Sequence, residues 1–124
     1  MLKGSCLCGA VTYTADGEIG QPAACHCTQC RKQSGHVWAS AWCAETDLTI
    51  TGDVRWYHAS PTAKRGFCPT CGSVLFWKAQ TEDTISFSAG SIDGPTGLNL
   101  RIHIFTADKG DYYDIADGVP QREN

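Results

Sequence analysis

Apolar and polar residues alternate along several short runs of this chain. In Thr84–Ser88 and in Arg101–Phe105 an apolar side chain stands at every second position. Because successive side chains of a β-strand point to opposite faces, this pattern predicts strands with one buried face. β-Branched and aromatic residues are frequent in seven such runs: Ala10–Thr14, Val37–Trp42, Leu48–Thr51, Val54–His58, Ser73–Trp77, Thr84–Ser88 and Arg101–Phe105. The sequence therefore predicts a mostly β fold.

One segment, Thr28–Ser34, has the features of a helix. Thr28 is a candidate N-cap, and Gly35 is suited to the left-handed conformation that commonly ends helices. Elsewhere glycine and proline recur at short intervals, which leaves little room for long helices. We expect one or two helical turns here, beginning within the group of cysteines at positions 25, 27 and 30 and continuing after it.

The length of the chain limits its organisation. A chain of 124 residues can build one hydrophobic core but is short for two ordinary domains, so we expect a single domain over residues 1–124. The first residues, Met1–Cys6, leave no room for the apolar core of a secretory signal. There is also no apolar run of about 18 residues. We expect a soluble, cytoplasmic protein with reduced cysteines.

The charge balance argues against one class of partner. The formal net charge is −3, whereas domains that bind nucleic acid usually carry a basic excess on one face. No nucleic-acid partner is therefore expected. The basic pairs Arg31–Lys32 and Lys64–Arg65 are typical of solvated surface, and the alternative is a site for a small anionic ligand. The sequence gives no indication of the oligomeric state.

Two groups of cysteines have the spacing of a closed zinc site. Cys68 and Cys71, followed by Gly72, form a Cys-x-x-Cys-Gly motif in which a tight turn directs two thiolates at one ion. Cys6 and Cys8 are expected in an extended segment, where residues two apart face the same side. Together the two pairs predict a structural zinc site with four thiolates, which would link distant parts of the chain.

A third group, Cys25, Cys27 and Cys30, offers three ligands in one short loop. Three protein ligands with a vacant fourth position are typical of catalytic zinc. His26 is expected to point away from the sulfurs, and Cys43 is expected to be a buried free cysteine. Two alternatives stay open at this point: a redox pair at Cys27 and Cys30, and a second structural zinc closed by His26 or Cys43.

These motifs resemble the family of glutathione-dependent formaldehyde-activating enzymes, which shares its domain with centromere protein V. The resemblance covers nearly the whole chain, through Gly4–Val11, Cys25–Lys32, Arg65–Ser73, and Ile102–Phe105 with Asp117–Gln121. It implies a β-tent fold of short antiparallel strands and two zinc ions. The structural zinc would be held by Cys6, Cys8, Cys68 and Cys71, and the catalytic zinc by Cys25, Cys27 and Cys30. The family's reaction joins glutathione and formaldehyde, and in reverse it is that of a carbon–sulfur lyase.

From this resemblance we expect an enzyme that adds a thiol such as glutathione to formaldehyde or to a small carbonyl compound, or removes it. The carboxylates of such a thiol need cations near the zinc, and Arg31, Lys32 and Arg65 are the main candidates, with Arg101 a further one. The tryptophans stand in strand candidates and are expected in the core: Trp38, Trp42, Trp56 and Trp77. The alternative function is a non-enzymatic zinc domain that binds a protein or nucleic-acid partner.

Overall fold

The structure is a computed structural model that describes residues 1–124. Ten strands and one α-helix follow one another along the chain: β1 (Leu2–Ser5), β2 (Thr12–Ala15), β3 (Gly20–Cys25), α1 (Thr28–Ser34), β4 (Trp38–Ala44), β5 (Leu48–Thr51), β6 (Arg55–His58), β7 (Ala63–Phe67), β8 (Val74–Ala79), β9 (Thr84–Ser88) and β10 (Ile102–Ile104). The prediction of a mostly β fold with one short helix is confirmed. None of the helices has the length and hydropathy of a membrane span.

All seven predicted runs overlap a strand, and three further strands were not predicted. β1, β3 and β7 include glycine, proline or charged residues that are uncommon in isolated strands. Pro22 is tolerated in β3 because the pairing with β4 shifts register between Gly20 and Ala23, as at a bulge. These strands form because neighbouring strands supply their hydrogen bonds.

The strands form two sheets. One has the order β1-β2-β5, and the other has the order β10-β3-β4-β9-β8-β7-β6. Neighbouring strands are antiparallel throughout, except that β10 runs parallel to β3. The last strand therefore lies directly beside the segment that leads into the three-cysteine loop.

A single apolar cluster joins the two sheets. Tyr13 of the small sheet contacts the rings of Phe76 and Phe87 of the large sheet, with centroids 5.3 and 5.4 Å apart. Cys43 is completely buried in this cluster and is free, which confirms its predicted role as a core cysteine. Burial of each such aromatic ring contributes about 1.5–3 kcal/mol. This core fixes one face of the large sheet.

The opposite face of the large sheet carries the other half of the alternating residues. Register places Ile104 of β10, Cys25 of β3 and Trp38 of β4 side by side. A second row, four residue pairs further along, contains Trp42, Ser86, Trp77 and Arg65. Trp38, Trp42 and Trp77 line a cleft on this face. The prediction of a core position is therefore wrong for Trp42 and Trp77, whereas Trp38 is buried, as predicted, and also borders the cleft.

Candidate metal centres and the adjoining cleft

Four cysteine sulfurs meet where the β1–β2 turn touches the β7–β8 turn. The sulfurs of Cys6, Cys8, Cys68 and Cys71 all lie within 4.8 Å of one another. The Cys6–Cys8 and Cys8–Cys68 separations are 3.6 and 3.8 Å. With Zn–S bonds of about 2.3 Å, a tetrahedron has sulfur–sulfur edges of about 3.8 Å. The four cysteines therefore fit a closed tetrahedral zinc site.

The backbone at this cluster consists of tight turns. The Gly9 N–H donates to the Cys6 carbonyl at 3.1 Å, so the predicted extended conformation of Cys6–Cys8 is wrong. The pair nevertheless converges, because β1 ends at Ser5 and the chain reverses immediately. In the second turn the Gly72 N–H donates to the Cys68 carbonyl at 2.8 Å, with the positive φ of 79° that favours glycine.

Hydrogen bonds at the same cluster favour the thiolate forms of Cys71 and Cys6. The side chain of Ser73, followed by its N–H, holds the pKa of Cys71 at about 5. The Val11 N–H donates to the Cys6 sulfur at 3.2 Å. The Leu7 N–H donates to Ser73 Oγ at 3.0 Å, which ties the two turns together. Thiolates are the form in which cysteines bind metal.

The second cluster is built from one continuous segment. Cys25 ends β3, Cys27 caps α1, and Cys30 lies in the first turn of that helix. Their sulfurs also lie within 4.8 Å of one another. The Cys30 N–H donates to Cys27 Sγ at 3.4 Å, so the N-cap is Cys27 and not Thr28 as predicted. Gly35 ends the helix with φ of 85°, as expected.

The electrostatics of this cluster favour the thiolate form of Cys30, its most buried cysteine. A hydrogen bond with Cys25, together with the charge of Arg65, lowers the pKa of Cys30 to about 6, against the opposing effect of burial. The same contact with Cys30 raises the pKa of Cys25. Three thiol donors and one open side fit a zinc ion with a free coordination position.

Arg65 is the cation nearest this cluster. Its side chain on β7 is buried, with only 6% of the residue exposed. Nη1 and Nη2 each donate to Cys30 Sγ at 3.5 Å, and the guanidinium also contacts Gln29 at 3.3 Å and Gln33 at 3.2 Å. The guanidinium thus offsets part of the negative charge that three thiolates bring.

His26 stands between Cys25 and Cys27 in the chain. Its side chain is buried and belongs to a separate hydrogen-bond network. Its Nε2 lies 2.9 Å from His103 Nδ1, and Tyr113 OH lies 2.9 Å from its Nδ1. His103 Nε2 lies 2.7 Å from a carboxylate oxygen of Asp117. Burial is the main cause of the lowered pKa of His26. Both ring nitrogens are engaged, so the prediction that His26 points away from the sulfurs is confirmed.

When both imidazoles are neutral, the network has one consistent direction. The carboxylate of Asp117 accepts only, so His103 Nε2 donates to it and Nδ1 accepts from His26 Nε2. His26 Nδ1 then accepts from the Tyr113 hydroxyl. Every polar atom is satisfied with both imidazoles neutral. Sequence reasoning did not find this network, because Tyr113 and Asp117 lie in a segment without periodicity.

The remaining predicted cations occupy different places. Arg31 Nε donates to the Asp108 carbonyl at 2.8 Å, and Lys32 is exposed beside a separate cleft with Gln29 and Tyr57. Neither lines the cleft that contains the three cysteines, so their role in thiol binding stays a prediction. Arg101 does line that cleft, and it has no salt-bridge partner.

The cleft has a volume of about 420 Å³ and lies on the exposed face of the large sheet. Its lining includes all three cysteines of the loop, three tryptophans and two arginines, and no acidic residue. Phe105 also lines the cleft and is the only non-glycine residue with positive φ, at 54°. Such backbone strain is frequent at binding sites. Among the lining residues, sequence reasoning gave no indication of Phe105 or Gln29.

Comparison with known proteins agrees with this arrangement. An uncharacterized lyase of Schizosaccharomyces pombe (strain 972) is 26% identical over 117 residues, which cover 93% of this chain and 85% of the yeast protein. A Rhodobacter sphaeroides protein of known crystal structure is 25% identical, with a TM-score of 0.58 over 77% of this chain and 91% of that one. The family model of the glutathione-dependent formaldehyde-activating enzyme matches residues 1–108. The chain therefore belongs to the glutathione-dependent formaldehyde-activating enzyme family.

Proposed function

We propose that this protein is a zinc-dependent carbon–sulfur lyase-like enzyme that binds glutathione or a similar thiol beside Cys25, Cys27 and Cys30. It joins the thiol to formaldehyde or a small carbonyl compound, or releases it. The observation that carries this proposal is the contrast between the clusters. Four sulfurs form a closed set at one site, whereas three sulfurs border a cleft at the other.

The two clusters have different tasks in this proposal. Cys6, Cys8, Cys68 and Cys71 hold a structural zinc. A zinc ion at Cys25, Cys27 and Cys30 supplies a free coordination position that favours the thiolate form of a substrate thiol. The surrounding cleft keeps the thiol and the carbonyl compound together, which is a large part of the rate advantage in such additions.

Arg65 has one donor left for a substrate. A guanidinium carries five N–H groups, and four of them are directed at Gln29, Gln33 and, twice, Cys30. One N–H on Nη2 remains to bind an anionic group of the substrate. Because Arg65 is held by these contacts, it keeps this donor next to the sulfurs without reorganising.

The cations around the cleft are candidates for the carboxylates of the thiol. Arg101 lines the cleft with its charge unpaired, so a carboxylate is a fitting partner for it. Arg31 and Lys32 follow the loop directly but lie outside the cleft lining. They remain candidates for a part of the thiol that extends beyond the cleft.

The proposal is tested by the rate at which formaldehyde exchanges between water and glutathione. Exchange nuclear magnetic resonance of the zinc-loaded protein should show this rate increased in proportion to protein concentration. Cys27→Ser should remove the increase, whereas Cys43→Ala, which alters a cysteine outside both clusters, should retain it. If exchange is not accelerated while both sites contain zinc, the proposed activity is wrong.

A further inference from the structure

Aromatic rings stand at two levels of the cleft wall, with Ser40 between Trp38 and Trp42 on the same face of β4. Trp38 stands in the row of Cys25, and Trp42 and Trp77 stand in the row four residue pairs further on. Trp42 lies four residues after Trp38 on β4, which corresponds to about 13 Å along the strand. Phe105 adds a further ring to the lining. Aromatic surface therefore begins beside the three-cysteine loop and recurs further along the cleft.

This wall is formed before any ligand binds. Trp42 packs against Gly20, where even a Cβ atom would overlap with the indole. Trp38 is 7% exposed, and its buried Nε1–H has no hydrogen-bond partner. Trp42 is 40% exposed although it is one of the largest apolar side chains. Large exposed aromatic surface within a concave site is typical of ligand contact.

The charges of the cleft are few and of one sign. Arg65 and Arg101 are its only charged lining residues apart from the cysteines, and Arg65 has most of its donors engaged. Glutathione is a polar thiol with charged ends, and formaldehyde carries no apolar group. Neither of them has an apolar surface that would match three indole rings. A ligand that buries the tryptophans must therefore contribute apolar area from elsewhere.

From this mismatch, and resting on the proposed function, we infer that the carbonyl substrate is an aldehyde with an aromatic or bulky apolar substituent, which packs against Trp38, Trp42 and Trp77. The thiol sulfur remains at the three-cysteine loop, and its anionic end remains near Arg101. The tryptophans are thus specificity residues for the group attached to the carbonyl carbon.

The reaction is balanced without a further reactant. The thiolate sulfur forms a bond to the aldehyde carbon, and the carbonyl π pair moves to oxygen. The proton that the thiol lost ends on that oxygen, which gives a hemithioacetal. The reverse reaction breaks the same C–S bond and returns the aldehyde. No electron acceptor or donor takes part.

Two thioether analogues of the adduct test the inference by binding alone. S-benzylglutathione carries an aromatic ring on sulfur, and S-methylglutathione carries only a methyl group. Isothermal titration calorimetry of the zinc-loaded protein should show at least about tenfold tighter binding of the benzyl analogue. Trp42→Ala should lower its affinity to that of the methyl analogue and leave the methyl analogue unchanged. Trp56→Phe, at a tryptophan outside the cleft, should preserve the preference.

A rate measurement separates this inference from the proposed function. The wild-type protein should act on phenylacetaldehyde with glutathione at a kcat/KM at least about tenfold above that for formaldehyde. Equal binding of both analogues, or equal losses for both in Trp42→Ala, would overturn the inference while accelerated formaldehyde exchange keeps the proposed function. If neither analogue binds and no aldehyde reacts, both are overturned.

Discussion

At the scale of the residue, a glycine determines the position of one wall of the cleft. Gly20 starts β3 directly opposite Trp42 of β4, and the indole occupies the space that a side chain at Gly20 would need. Its backbone does not have positive φ, so close approach and not conformational freedom explains this glycine. The aromatic surface of the cleft therefore depends on a residue without a side chain.

We predict that Gly20→Ala displaces Trp42 and destabilises the protein. Overpacking of this kind costs about 1–3 kcal/mol, and the indole should change its environment. Urea unfolding should show the loss of stability, and the tryptophan fluorescence spectrum of the folded protein should shift. The control is Gly90→Ala, where the nearest atom, Ser88 Oγ, lies 4.0 Å from the added Cβ. Similar effects in both variants would contradict the packing argument.

The residues that carry the chemistry were easier to predict than those that shape the cleft. Spacing alone grouped Cys68 with Cys71 and Cys25 with Cys27 and Cys30, because short motifs bring their sulfurs together through local turns. The orientation of Trp42 was not accessible in this way. Both faces of β4 carry large or apolar side chains, so alternation does not distinguish the core face from the cleft face.

At the scale of the element, the C-terminal segment supports the three-cysteine loop. Asp117, His103, His26 and Tyr113 form a chain of hydrogen bonds in which the two histidines are buried. The backbone adds a further link, because the His26 N–H donates to the Ile104 carbonyl of β10 at 3.0 Å. His26 stands between Cys25 and Cys27 in the chain, so this support fixes the loop that carries the three sulfurs.

We predict that Tyr113→Phe loosens this loop. The variant leaves the buried Nδ1 of His26 without its donor, which costs about 1–3 kcal/mol. Thermal unfolding should show lower stability, and zinc should leave the three-cysteine site faster in a competition with a coloured chelator. Only the zinc ion at the three-cysteine site, one per protein, should be released faster.

The neighbouring tyrosine provides a matched control for this prediction. Tyr112 also pairs its hydroxyl with a histidine, His36, but the pair is exposed. Tyr112→Phe should therefore change stability and zinc release little, because water replaces the lost partner. Equal effects of the two variants would show that the buried network does not support the loop.

At the scale of the whole molecule, the four-cysteine cluster connects the two sheets. The turn after β1 belongs to the small sheet and the turn between β7 and β8 belongs to the large one. The three-cysteine cluster, in contrast, closes a loop within one segment. The sequence positions of the cysteines were enough to predict that one cluster joins distant segments and that the other is local. The order of the strands in the sheets could not be predicted in this way. Strands β1, β3 and β7 gain their stability from neighbours that are distant in sequence.

We predict that Cys8→Ser and Cys27→Ser have different consequences for folding. Cys8 is exposed, so its replacement tests loss of a metal ligand without loss of core packing. Loss of the structural site should lower the free energy of unfolding by more than about 4 kcal/mol. Cys27→Ser should retain the fold and weaken only the second site. Circular dichroism and melting temperature measure both effects, and equal losses in the two variants would refute the division of tasks.

The central claim is that a thiol binds through sulfur at the loop of Cys25, Cys27 and Cys30. Cobalt-substituted protein titrated with glutathione tests it most directly, because thiolate–cobalt bonds have strong charge-transfer absorption. The account predicts that glutathione shifts this band and that the shift is complete at one equivalent of glutathione per protein. Cys27→Ser should abolish the shift. If glutathione and other small thiols leave the spectrum unchanged while both sites contain cobalt, the claim is contradicted.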